Sequence, residues 1–185
     1  MNPDTWDQIR LCKKWGSADP DVRIIRLYAP LDDIHRALTL LAKSAAQQLS
    51  VAMYGWDDSE LDGLVRSAWQ NEHVAVKVAL DSTQAAGGGE TPLLKQWPQQ
   101  SYGSELVIGQ SSKHKISHMK LIAADDAHVG GSTNLSTDGE TRQNNEAVFW
   151  WDALATGEVH ARIANVFSEM MSQPNALTHK ELLGP

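Results

Sequence analysis

The stretch His118-Met119-Lys120-Leu121-Ile122-Ala123-Ala124-Asp125, closed by Gly131-Ser132-Thr133-Asn134, decides how the rest of the chain is read. In an extended strand, residues two apart point to one face. His118 and Lys120 therefore project together, while Met119 and Leu121 face the other way. A lysine ammonium is a point charge suited to phosphate. A histidine can serve as nucleophile or proton donor. The Gly-Ser-x-Asn turn brings a hydroxyl, an amide and backbone N–H groups to the same place. Such a set suits a phosphodiester and calls for no metal. Taken singly, each residue has a plainer reading: Lys120 as a solvated charge, Ser132 and Asn134 as ordinary turn residues. In register together they read as a site.

Outward from this stretch, residues 116–124 and 127–129 read as a hairpin turning at Asp125-Asp126. Residues 145–151 form the next strand, and 152–171 a helix with Val159, Ile163, Val166, Phe167 and Met170 on its buried face. Upstream, residues 73–81 are nearly all apolar, as a strand buried on both faces should be. Residues 23–28, 51–56 and 105–108 also read as strands. Between them, residues 32–48 carry a helical stripe of Ile34, Leu38, Leu41 and Ala45, and Asp57-Asp58-Ser59-Glu60 is an N-cap signal for a helix bearing Leu61, Leu64, Val65, Ala68 and Trp69. Strand, helix, strand recurs. The expected fold is α/β, a single domain with a mixed sheet flanked by helices on both faces. Residues 1–22 read as an N-terminal helical extension, with the helix over 4–15. Residues 23–173 read as the domain, and 174–185 as a weakly ordered tail. Residues 82–103 are irregular, with a flexible loop at Gly87-Gly88-Gly89 and a short helix over 92–97.

Composition narrows the function. The 185 residues suffice for one full core, and 42% hydrophobic with 21% charged residues is ordinary for a globular protein. No apolar run is long enough to span a bilayer, and the start shows neither a basic n-region nor an apolar core of a signal peptide. The single Cys12 reads as a packing residue in a reducing compartment, so a cytoplasmic location is expected. A net charge of −7 counts against broad, tight nucleic-acid binding. A local basic groove is still allowed, because fields depend on distribution. Lys113, His114, Lys115, His118 and Lys120 form the densest basic cluster, and it lies on the motif. His114 and His118 would stand about 13 Å apart on a strand, too far for one ion. No zinc-type spacing occurs, so neither metal nor cofactor is expected. His128 is a possible neighbour of the site. Trp150 and Trp151 alternate faces: one should be core, the other available to an interface or to stack on a base.

His118-x-Lys120, four residues, Asp125, then Gly131-Ser132-x-Asn134 resembles the signature of the phospholipase D superfamily. With one copy of the motif, the chain resembles the small single-motif branch of Nuc-like endonucleases, and the likeness covers most of residues 23–151. Glu146 stands where that family usually has an acid on the next strand. Two departures are visible. Five residues, not six, separate Asp125 from Gly131, and Ala147 rather than Asn follows Glu146. The resemblance implies a metal-independent phosphodiesterase acting as a nuclease on DNA or RNA. His118 would form a phosphohistidine, with Lys120, Ser132 and Asn134 on the phosphate oxygens. Glu146 would orient the imidazole, while Asp125 would have a structural role, tying the turn to a cation. One motif histidine per chain implies a homodimer with a shared active site, without stable membrane association. A phospholipase or phospholipid transferase uses the same chemistry, and a non-catalytic dimeric nucleic-acid-binding module is the third possibility.

Overall fold

In the computed structural model, residues 1–86, 89–99 and 101–183 are described; Gly87-Gly88 of the expected loop lie outside them. The elements in chain order are α1 (Pro3–Arg10), β1 (Ile24–Ala29), α2 (Ile34–Lys43), β2 (Gln48–Met53), α3 (Ser59–Trp69) and β3 (Ala75–Asp81). Two short helices follow, α4 (Ser82–Ala85) and α5 (Glu90–Leu94), then β4 (Glu105–Gly109), β5 (Lys120–Ala124), β6 (Ala127–Gly131) and α6 (Thr137–Thr141). The chain continues through β7 (Asn145–Trp151), α7 (Ala153–Met171), β8 (Leu177–Thr178) and α8 (His179–Leu183). Aspartates set several helix starts. Asp33, Asp58, Asp81 and Asp152 each accept a backbone N–H of the following first turn, which satisfies a donor the helix cannot use internally.

One eight-stranded sheet runs in the order β1-β7-β6-β5-β2-β3-β4-β8. β2, β3 and β4 are mutually parallel, joined by helical crossovers, and the other pairings are antiparallel. Helices cover both faces. On one, Leu38 and Leu41 of α2 and Leu61 and Val65 of α3 join Leu49, Val51, Val78, Ile122 and Phe149. On the other, Ile163, Val166, Phe167 and Met170 of α7 lie over Ala52, Ala79, Val107 and Ala123. Small strand residues let the long helix sit close. At Gly109 a Cβ would lie 2.8 Å from the Met170 Cβ, so this strand end admits only glycine without movement. The α/β sandwich expected from the alternation of strand and helix is the fold observed.

Several boundaries differ for physical reasons. α1 stops at Arg10 instead of continuing to 15, because the backbone turns there to bring Cys12 inside. α2 ends at Lys43, and the chain becomes strand at Gln48, earlier than hydrophobicity indicated. The N–H groups of Ala46, Gln47 and Gln48 are drawn onto the Asp125 carboxylate, which a sequence pattern does not show. Within the expected weakly ordered tail, Leu177–Thr178 instead add β8 to the edge of β4 and His179–Leu183 form α8; residues 184 and 185 lie outside the described residues. The N-terminal extension is packed down: Trp6 and Ile9 are buried, and the Trp6 ring lies 5.8 Å from Trp151. Trp151 donates to Asp126 and Trp150 stacks on His128, so both are half-buried; the fully buried aromatic of this strand is Phe149. Among the described residues, no helix is long and apolar enough to cross a membrane.

Candidate active site

The motif residues come from adjacent strands at one end of the sheet. Met53 is opposite Lys120, and Gly131 is opposite Ala147. Along β5, Lys120 shares a face with Ile122, which packs on the α2–α3 side, while Leu121 and Ala123 face α7. His118 precedes β5 and is not itself in a strand, contrary to the longer strand expected. Two bonds hold this approach in place. The buried Asp81 carboxylate accepts the Ser117 N–H at 2.6 Å, and the Met119 carbonyl accepts the Tyr54 N–H at 2.8 Å. Pairing with β2 is thereby carried past the end of the strand. It places the Tyr54 ring 4.5 Å from the His118 ring, tilted 63°, and 4.9 Å from Lys120 Nζ. The Tyr54 hydroxyl accepts from Gln84 Nε2 at 2.9 Å, fixing the ring from the far side. His118 is exposed. Lys120 is only 8% exposed, and its Nζ has no hydrogen-bond partner among the described residues. Burial holds its pKa below the usual lysine value.

The Gly-Ser-x-Asn turn is built on the backbone of Glu146. Gly131 has φ +153, and a Cβ there would lie 2.1 Å from the Glu146 carbonyl oxygen, so the close approach of β6 and β7 requires glycine. That carbonyl accepts from Ser132 N at 2.9 Å and from Thr133 Oγ1 at 3.0 Å. The Ser132 hydroxyl accepts from Glu146 N at 2.9 Å and donates to Asn145 Oδ1 at 3.1 Å. Its oxygen is thus engaged in shaping the turn in this state. Asn134 is different: its Oδ1 is buried and has no partner among the described residues. Glu146, Lys120, Gly131 and Thr133 border one small void. The site therefore offers an exposed imidazole and, among the described residues, an unpaired ammonium and an unpaired amide oxygen beside a well-fixed turn.

Comparison with known proteins gives the family and the fold. Residues 16–171 match the family described as "Cardiolipin synthase, PLD-like domain". The chain belongs to the phospholipase D superfamily. Among solved structures it is similar to Nuc, a phospholipase D family member from Salmonella typhimurium, with a TM-score of 0.69 and 18% identity over 80% of this chain and 95% of that one. NucT from Helicobacter pylori gives 0.68 and 14%, over 80% of this chain and 96% of that one. Phosphatidylserine synthase from Haemophilus influenzae gives 0.59 and 11%, over 82% of this chain but 42% of that one. At these identities the likeness is one of fold. No curated protein matches the sequence.

The other residues singled out in this phospholipase D-like chain divide by position. Asp125 sits in a two-residue hairpin turn at φ +51, a conformation aspartate tolerates. Its carboxylate accepts three N–H groups at 2.8–2.9 Å, from Ala46, Gln47 and Gln48, in place of the expected cation. The short spacing to Gly131 is thus taken up by a tight hairpin. His128 does not neighbour the site. It lies on the opposite sheet face, 2.9 Å from Thr156 Oγ1, and burial lowers its pKa. Lys113, His114 and Lys115 are exposed on the loop leading to His118. Glu146 borders the Lys120 void, whereas the ring set edge-on against His118 is Tyr54. Three contributors were not foreseen: Tyr54, Asp81 and Gly55, where a Cβ would lie 3.1 Å from the Asn134 Cγ. Each lies near the carboxyl end of β2 or β3, where open α/β sheets form their clefts; that position was the available signal.

Proposed function

We propose that this phospholipase D-like chain is a metal-independent phosphodiesterase that cuts DNA or RNA through a phosphohistidine formed in a homodimeric site. One observation carries the reading: a buried ammonium without a partner, Lys120, beside an exposed imidazole, His118, on a shared tyrosine ring. A cation so placed is satisfied by a phosphate oxygen. The His118 imidazole attacks phosphorus in line. A P–N bond forms, the P–O bond to the leaving group breaks, and a second imidazolium gives its proton to the departing oxygen. Water then attacks phosphorus, that second imidazole takes its proton, and the P–N bond breaks. Lys120 and Asn134 hold the non-bridging oxygens, and Ser132 joins them where its hydroxyl turns from Asn145. Glu146 orients the imidazole, and Gly131 and Asp125 keep the hairpin in place. The chain has one motif histidine, so the second imidazole is His118 of another copy, related by a two-fold axis. Nucleic acid is favoured by the exposed Lys113, His114 and Lys115 beside the site and by the likeness to Nuc and NucT.

The test is incubation of single-stranded DNA, duplex DNA, RNA and phosphatidylcholine with the purified protein in EDTA at 25 °C, with His118→Ala as control. Cleavage of a nucleic acid in EDTA, absent in the variant, is the expected result. Turnover of phosphatidylcholine alone would transfer the same chemistry to lipid. Cleavage that is lost in EDTA while the protein stays folded, and returns with Mg²⁺, would overturn the mechanism.

A further inference from the structure

A second group of reactive side chains lies outside the phosphodiester site. His35, in the first turn of α2, meets Asp58, which caps α3, and Glu140 of α6; one ligand atom from each lies within 4.8 Å of the others. His35 Nδ1 is 2.6 Å from Glu140 Oε2 and 3.3 Å from Asp58 Oδ2. The second oxygen of Asp58 accepts the Leu61 N–H, which leaves Oδ2 free to face the imidazole. Glu140 is 1% exposed, and its Oε1 has no hydrogen-bond partner among the described residues. A buried carboxylate oxygen without a donor is costly. On the other side of the ring, Glu60 Oε2 lies 3.1 Å from His35 Nε2.

Three carboxylates thus converge on one imidazole. Burial and the neighbouring Asp58 push the Glu140 carboxyl up to about 7, although His35 opposes this. The arrangement has a known counterpart in metal chemistry. Ligating histidines usually hand their other ring nitrogen to an outer carboxylate, the position Glu60 occupies. Tetrahedral zinc with ligands at about 2.0 Å separates its donors by about 3.3 Å. The Asp58–His35 spacing already meets this; the Glu140–His35 pair needs to open by less than one ångström once the proton between them leaves. Magnesium and calcium ask for more oxygens than are assembled here, and an imidazole donor favours zinc.

We propose that His35, Asp58 and Glu140 bind a Zn²⁺ ion, with Glu60 as the outer carboxylate. Partial exposure of His35 leaves a fourth position for water and a route of entry. The ion would be a clamp, not a participant in phosphodiester cleavage. It would join α2, α3 and α6, and α6 directly follows the Gly-Ser-x-Asn turn. The same segment is already tied to the loop between β2 and α3, because the Leu135 carbonyl accepts the N–H groups of Asp57 and Asp58. Leu38, one helical turn from His35, borders the void beneath Lys120.

The experiment loads the wild-type protein with Zn²⁺, dialyses it and counts metal per chain by elemental analysis, alongside His35→Ala, Glu140→Gln and Glu60→Gln. One retained ion per wild-type chain, a raised Tm, loss of the ion in the first two variants and roughly 10–100-fold weaker binding in Glu60→Gln are expected. His73→Ala and His114→Ala, at exposed histidines, should retain it. A wild type that retains no zinc, or variants at His35 and Glu140 that retain it fully, would overturn the site. Should those two variants not fold, Co²⁺ bound to the wild type decides. An intense tetrahedral visible spectrum supports the site, and a weak octahedral one refutes it. Loss of the clamp changes Tm and not the chemistry, so failure here and failure of the phosphodiesterase reading give different results.

Discussion

Lys120 carries a conflict between stability and use. Its ammonium is buried and has no hydrogen-bond partner among the described residues, an arrangement that costs free energy and that the proposed phosphate would relieve. Lys120→Met keeps the length and apolar stem of the side chain and removes the charge. It should abolish cleavage and at the same time raise Tm, by about 2–4 °C for each kcal/mol recovered. A thermal melt of a pure, inactive variant checks both halves; a drop in Tm would mean the lysine is paired in solution. His118→Ala should leave Tm near that of the wild type, because the ring is exposed, and reduce cleavage to background. Glu146→Gln should be milder, since an orienting group does not react. Of these residues, His118 and Lys120 were legible from their i, i+2 spacing, and Glu146 from the family resemblance. Tyr54 was not, because its role depends on the register between β2 and β5, which no local pattern encodes.

Among the elements, the hairpin of β5 and β6 is the piece most dependent on one carboxylate. Asp125 holds three N–H groups at the entry to β2, so Asp125→Ala should cost roughly 2–3 kcal/mol in a urea titration and loosen the β2–β5 pairing. A loss below about 0.5 kcal/mol would show that water replaces the carboxylate without penalty. Helix α5 gives a pH-dependent counterpart. Glu90 is 3% exposed and accepts the Trp56 N–H at 2.6 Å, and burial raises its pKa from 4.5 to about 8. The folded state then holds a proton that the unfolded state has released. Stability from this group is present below pH 4.5 and is lost as pH rises toward 8. The stability of Glu90→Gln minus that of wild type should therefore grow between pH 5 and 8, and a flat difference would contradict the assignment. Strands and helices were readable because their apolar periods are local. The end of α2, the start of β2 and the pairing of residues 177–178 were not, because partners distant in sequence decide them.

For the whole molecule, the proposed function raises the question of how one motif histidine per chain completes a reaction that needs two. If two copies share one centre, mixing wild type with excess His118→Ala should suppress activity as mixed dimers form, with no active species left among them. Activity that falls only in proportion to dilution, or a fully active monomer in sedimentation, would refute sharing. The α/β class and the motif followed from strand and helix periods and from the residues at positions 118–134, whereas the cluster of His35, Asp58 and Glu140 could not be foreseen. Those three residues are spread over more than half the chain, and only the packing of α2, α3 and α6 brings them together.

The sheet order also sets a timetable. Ile24 pairs with Trp150, so the first strand of this sheet in chain order has its neighbour far along the chain, in β7. β7 brings both that partner and the Glu146 backbone on which the Gly-Ser-x-Asn turn is built. A growing chain that ends before β7 carries His118 and Lys120 but has no finished phosphate seat, and its first strand is an open edge. Under the proposed function, chains that end before β7 should therefore fail to cleave nucleic acid, which a truncation after Asn144 checks.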